Sequence, residues 1–270
     1  MQQRGTGLFA NLQVAHVRVD GSVSMPNTTD RILLEIGCSN RATLDDQLLE
    51  RDTNSFLLAF EPLLDKYAEL AAKGNKRYNG KTLDLVTPLG HHHQRAVVLP
   101  LAVGAHGRTA TFHVGRIAGC SSLLQLANPE TGGSSRMCKD VVETRTVPMI
   151  TLRSAIALTG STLPIRLVKI DAQGADLSVV QGAPKSDLAR VQLLTMEMQV
   201  DSHLCQGRHM IYRRESCTVA VDYMRSVGFR YIGHATDRQG LVPVGEGGTC
   251  PTRPKWGRTL KMWFCEIQVL

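Results

Sequence analysis

Three acidic residues stand at or beside the end of a largely apolar run: Glu35 after Ile32-Leu33-Leu34, Glu61 after Phe56–Phe60, and Asp171 after Leu167–Ile170. A buried strand that ends in a carboxylate delivers it to the lip of a sheet, where open α/β sheets keep their ligands. Glu61 can accept two hydrogen bonds from ribose hydroxyls. Glu35, two residues before the turn Gly37-Cys38-Ser39-Asn40, sits where a carboxylate could meet an ammonium group. Leu101-Ala102-Val103-Gly104 closes another apolar run with small residues whose backbone amides could hold an adenine edge. Each feature also has a plain structural reading. Gly37 could be only a turn, Glu61 a helix N-terminal acid, and Asp171 a loop acid or helix cap. Taken together they suggest an enzyme fold with a nucleotide-like cofactor.

These residues need a sheet to position them. Buried strands are expected at Ile32–Ile36, Phe56–Phe60, Ala96–Leu101, Ile165–Ile170 and Val191–Met198, with a further strand at Thr109–Val114. Thr43-x-x-Asp46 reads as a capping-box variant opening a helix through Glu50. Pro62 fits a helix first turn, with Leu63, Tyr67, Leu70 and Ala71 on one face. Val147–Leu158 mixes strand and helix signals. Thr218–Val227 reads as a helix, and Phe229–Ile232 with Leu260–Val269 as a closing antiparallel pair. Residues 1–30 read as an irregular extension and 31–270 as one domain, with insertions at about 75–94 and 115–143.

Composition narrows the function. A hydrophobic content of 43% is enough for a sizeable core, while 5% aromatic residues argue against a stacking platform for bases. The net charge of +7 is scattered, with no run of five like charges, so no nucleic-acid partner is expected. The densest basic stretch, Arg253–Lys261 beside Trp256, reads as a solvated loop. Seven cysteines, widely spread and without a C-x-x-C pair, fit reduced thiols in an intracellular, cytoplasmic protein. No metal-ligand spacing is present, and His91-His92-His93 read as a solvated loop. No stretch approaches the roughly 20 apolar residues of a membrane span. Met1–Val19 has no signal-peptide core, but it is acid-poor enough for an organelle transit peptide.

The motifs in order resemble those of the FkbM-type S-adenosylmethionine-dependent methyltransferases. Val168–Asp176 is similar to the family's K-I-D-V-E-G-A-E, and Phe60-Glu61-Pro62 to its F-E-P. Leu99–Phe112 resembles A-x-x-x-x-x-G-x-x-x-F, Ser121-Ser122-Leu123 resembles S-S-L, and Val147–Leu152 resembles V-x-x-x-T-L. The matches span roughly Ile32–Met198. The first motif departs from D-x-G-A-N-x-G: Glu35 replaces Asp, and Arg41 stands at the second glycine. Gln173 and Asp176 replace two glutamates.

The resemblance implies a class I methyltransferase (Rossmann-like) fold, with a doubly wound, mostly parallel seven-stranded sheet whose last strand is antiparallel. It implies S-adenosylmethionine over the turn formed by Glu35, Gly37, Cys38, Ser39 and Asn40. Glu61 and Pro62 would hold the ribose, and Ala102 and Val103 would border adenine. The implied acceptor is a hydroxyl on a small molecule, glycan or lipid-like compound. Removing its proton requires a base; Asp171 is the first candidate and His203 the second, ahead of His113 and His234. No metal is required. The departures leave a non-catalytic cofactor-binding module as the alternative. An NAD-dependent oxidoreductase fits poorly, because the later glycines of the dinucleotide fingerprint are missing.

Overall fold

Arg31–Ile36 (β1) and Ser55–Phe60 (β2) are buried along nearly their whole length, which explains why their sequences are mostly apolar and do not alternate with polar residues. A parallel strand covered on both faces has no solvent side on which to alternate. Ile32, Leu34 and Ile36 of β1 enter one apolar cluster, and Leu33 enters another on the opposite face. The computed structural model describes residues 15–39, 44, 52–71, 76–78, 81–83, 95–116, 118–125, 140–160, 162–197, 217–235 and 264–269.

The elements after β2 are α1 (Leu64–Ala71), β3 (Lys76–Tyr78), β4 (Lys81–Leu83), β5 (Ala96–Leu99), β6 (Ala102–Gly104) and β7 (Arg108–Gly115). A short 3₁₀ turn at Ala118–Cys120 precedes β8 (Val141–Thr151), α2 (Leu152–Ala157) and β9 (Ile165–Ile170). Then come α3 (Asp176–Gln181), α4 (Lys185–Leu188), β10 (Leu193–Glu197), α5 (Cys217–Ser226), β11 (Phe229–Ala235) and β12 (Phe264–Val269).

The main sheet has the order β11-β12-β10-β9-β1-β2-β5. Its pairings from β10 to β5 are parallel, and β12 runs antiparallel to both neighbours. The chain is therefore α/β with a mostly parallel sheet. Leu152, Ile156, Leu177, Val180, Val221 and Met224 of α2, α3 and α5 pack on one face. Leu44 and Leu70 cover the other, against Leu33, Leu57 and Val98.

Three expectations change. The run read as one strand, Ala96–Leu101, breaks at Pro100, and the chain leaves the main sheet. Proline gives no amide to a ladder. Residues 102–104 instead pair with β8 in a second sheet, β6-β8-β7, which the sequence did not reveal. The segment read as an insertion at 115–143 is shortened at both ends: Gly115 belongs to β7, and Val141–Glu143 to β8. The loop expected at 75–94 contains the β3-β4 hairpin. The mixed signals at Val147–Leu158 resolve into strand then helix. Thr151 is the N-cap, its hydroxyl accepting from the Ser154 amide at 3.1 Å.

Candidate active site

The order of the main sheet reverses between β1 and β9, because the chain winds from β1 toward β5 on one side and from β9 toward β10 on the other. A crevice is expected beyond the carboxyl ends of the strands at such a point. A cleft lies there, lined by Gly37, Glu61 and Asp171 from the ends of β1, β2 and β9.

The first turn is stitched to both neighbouring strands. The Gly37 and Cys38 amides donate to the Phe60 carbonyl at 3.0 and 3.3 Å, and the Asp171 amide donates to the Ile36 carbonyl at 2.9 Å. Gly37 has φ +78° and Ser39 has φ +54°. Ser39 lines the cleft, and its hydroxyl accepts from Lys66 Nζ at 3.3 Å. The Cys38 thiol is buried instead, with Sγ 3.5 Å from the Phe60 carbonyl, and burial pushes its pKa well above the usual thiol value. A protonated, buried thiol is no nucleophile. Asn40 lies outside the described residues.

Glu35 is fully buried and its carboxylate is occupied. Oε1 accepts from Lys169 Nζ at 2.9 Å and Oε2 from the Leu44 amide at 3.0 Å. The ammonium it meets belongs to the protein, and Glu35 is not among the residues facing the cleft.

Glu61 faces the cleft while only 3% exposed. Burial raises its pKa to about 7, against the opposing pull of the Leu63 amide, Lys66 and the Ser39 amide. The Leu63 amide donates to Oε1 at 3.0 Å. Pro62 lies beside it, and Leu101, Ala102, Val103 and Phe112 provide an apolar wall.

The end of β9 forms the other side. Gln173 has φ +51° and Gly174 has φ +94°. The buried Asp176 carboxylate holds this turn, accepting from the Gly174 amide at 3.0 Å and from the Ala172 amide at 3.4 Å. Gln173 Nε2 donates to Asp171 Oδ1 at 2.6 Å. Ser122, from the S-S-L segment, donates its hydroxyl to the Gln173 carbonyl at 2.9 Å. Its neighbour Ser121 lines the cleft and accepts from the Gly115 amide at 3.1 Å.

Residues 40–231 match the family model described as Methyltransferase FkbM domain. The chain belongs to this family. The FkbM match begins at Asn40, the last residue of the first turn, and contains Glu61, Ala102, Val103, Ser122 and Asp171. Membership makes the chain a transferase of the methyltransferase class. No curated protein matches the sequence. Among solved structures, the chain is similar to a point mutant of the 16S rRNA (adenine(1408)-N(1))-methyltransferase from Catenulisporales acidiphilia. That similarity has 10% identity and a TM-score of 0.29, and covers 90% of this chain and 88% of that one. A likeness at that level carries no argument.

The cleft thus brings together Gly37, Ser39, Glu61, Pro62, Ala102, Val103 and Asp171 of the residues singled out in the sequence. His203 lies outside the described residues, as do His91-His92-His93. His113 is half-buried on β7, where its backbone pairs with Ser122, and it is not among the cleft-lining residues; His234 lies on β11. Sequence reasoning missed Lys66 and the contact between Gln173 and Asp171. For Lys66 a signal existed, because on α1 it lies near the helix start that follows Glu61.

The expectation of reduced thiols needs correction: Cys120 is disulfide-bonded, whereas Cys38 is free. Cysteine spacing along the chain says nothing about which sulfurs meet in space. Among the described residues no helix is long and apolar enough to cross a membrane, and no group of metal ligands occurs.

Proposed function

We propose that this FkbM-family chain transfers a methyl group from S-adenosylmethionine to a hydroxyl of a small-molecule, glycan or lipid-like acceptor. The observation that carries this reading is the convergence of Glu61 and Asp171, from the ends of β2 and β9, on one cleft around the Gly37 turn. The sheet order, with antiparallel β12 beside β10, supports a class I methyltransferase architecture.

The donor set suits the cofactor. Glu61 offers a buried carboxylate to a ribose diol, and Leu101, Val103 and Phe112 offer an apolar wall to adenine. When bound, the cofactor supplies an electrophilic sulfonium methyl. With the cofactor bound, Asp171 would take the proton of the acceptor hydroxyl as its oxygen bonds to the methyl carbon and the methyl–sulfur bond breaks, releasing the neutral thioether. The cleft walls hold the acceptor in line and exclude water.

Calorimetry with S-adenosylmethionine, S-adenosylhomocysteine and NAD tests the cofactor. Binding of the first two, and not of NAD, is expected. Mass spectrometry of a panel of hydroxylated acceptors tests transfer. Cofactor binding without any methylated product would favour a non-catalytic module. NAD binding would overturn the reading.

A further inference from the structure

Gln173 stands where the family pattern has a glutamate, and it occupies a left-handed backbone conformation, φ +51°, that glycine adopts far more readily. Such a residue persists where its surroundings over-determine it, and such residues cluster at active sites. Two contacts fix this one. Ser122, which is fully buried, donates its hydroxyl to the Gln173 carbonyl at 2.9 Å, and the Ser122 hydroxyl oxygen in turn accepts from the Leu124 amide at 3.0 Å. Gln173 Nε2 then donates to Asp171 Oδ1 at 2.6 Å, and both residues line the cleft.

From this geometry we infer that Gln173 is a positioning residue, whose amide holds the Asp171 carboxylate in one rotamer toward the cleft. The inference rests on reading Asp171 as the base. An amide at this position donates to Asp171 at every working pH. A glutamate would present a second carboxyl, and two ionised carboxylates at this separation repel. The strained backbone fits the same role. It places the side chain two residues back toward Asp171, and Ser122 keeps it there from a segment 51 positions away.

The test is Gln173→Gly. Glycine suits the backbone, so this variant is expected to fold with a melting temperature at or above that of the parent. Cofactor affinity by calorimetry should stay within about twofold, because Gln173 is not assigned to the cofactor side. The χ1 angle of Asp171, read by three-bond NMR couplings in aspartate-labelled protein, should be single-valued in the parent and averaged in Gln173→Gly. Turnover on whichever hydroxyl acceptor the panel identifies should fall roughly 10- to 100-fold with little change in KM for the cofactor. Asp171 held in one rotamer in Gln173→Gly would overturn the inference. Asp171→Asn separates the two readings. Transfer surviving in Asp171→Asn overturns the base assignment. Transfer lost there, yet intact in Gln173→Gly, overturns only the positioning role.

Discussion

Gly37 lies so close to Asp171 that a Cβ built on it would stand 2.1 Å from the Asp171 carbonyl oxygen. The obstacle is backbone, and the Asp171 amide is itself bonded to the Ile36 carbonyl, so neither strand end can yield without losing register. The φ of +78° adds a second objection to any side chain. Gly37→Ala is therefore expected to lower unfolding free energy by roughly 2–4 kcal/mol. Urea denaturation measures this, and a loss under about 0.5 kcal/mol would show that the turn relaxes freely.

Glu61 should make cofactor binding depend on pH. Its carboxyl is neutral below about 7 and ionised above, because burial outweighs the Leu63 amide, Lys66 and the Ser39 amide. The ionised form is acceptor-only on both oxygens and makes the stronger, charge-assisted hydrogen bonds to the two hydroxyls of a ribose. Affinity for S-adenosylmethionine is expected to rise between pH 6 and 8 and then level off. Glu61→Ala should weaken binding about tenfold or more, since a hydrogen bond to a charged group is worth roughly 1.5–3 kcal/mol. Unchanged affinity in calorimetry would remove Glu61 from the ribose.

The same residue predicts a stability profile. The carboxyl titrates near 4.5 when unfolded and near 7 when folded. Folded stability is therefore highest below pH 4.5 for this group and falls as pH rises toward 7, by about 3 kcal/mol at the extreme. Glu61→Gln keeps an acceptor for the Leu63 amide and removes the titration. Its melting temperature should exceed that of the parent at pH 8 and match it near pH 4.5. Equal differences at both pH values would count against a buried, raised carboxyl.

Much of the site was legible because its signals are local. Glu61 follows a strand buried along its whole length, and Asp171 follows the largely apolar Leu167–Ile170 of β9, so an apolar run marked both places. The second sheet was not legible. Ala102 pairs with Met149 across 47 positions, and nothing in either segment names the other. Glu35 shows the same boundary. Its position suggested an ammonium partner, but only the register Glu35↔Lys169 between β1 and β9 reveals that a lysine supplies it. Asp176 departs from the family's glutamate, yet its carboxylate still holds the turn amides, so that departure costs the fold nothing visible.

The cysteines should react in a fixed order. Cys38 is a free thiol, 2% exposed, with its pKa raised by burial, so iodoacetamide should not modify it in the native protein. Denaturation alone should expose it. Cys120 should be modified only after denaturation and reduction by a dithiol, because it is disulfide-bonded. Peptide mass spectrometry under the three conditions reads both. Alkylation of Cys120 without reductant would disprove the bond.

The buried pair Glu35–Lys169 should matter more for the turn than for any ligand. Burial alone would push the Lys169 ammonium toward a lower pKa. The charge and hydrogen bond of Glu35, with Asp171 nearby, instead hold it above the usual lysine value. The stability contributed by the Lys169 charge is therefore fully present below pH 10.5 and is lost as pH rises through the higher folded value. Lys169→Met strands the fully buried Glu35 carboxylate, which should cost roughly 3–5 kcal/mol. Glu35→Gln with Lys169→Met removes both charges and keeps an acceptor for the Leu44 amide, so it should recover most of that loss. A double-mutant cycle in urea measures the coupling, and additive losses would show that the two side chains act independently. Because Glu35 is held by Lys169 and Leu44, the double variant should also keep cofactor affinity within about threefold. A larger fall would return Glu35 to the ligand.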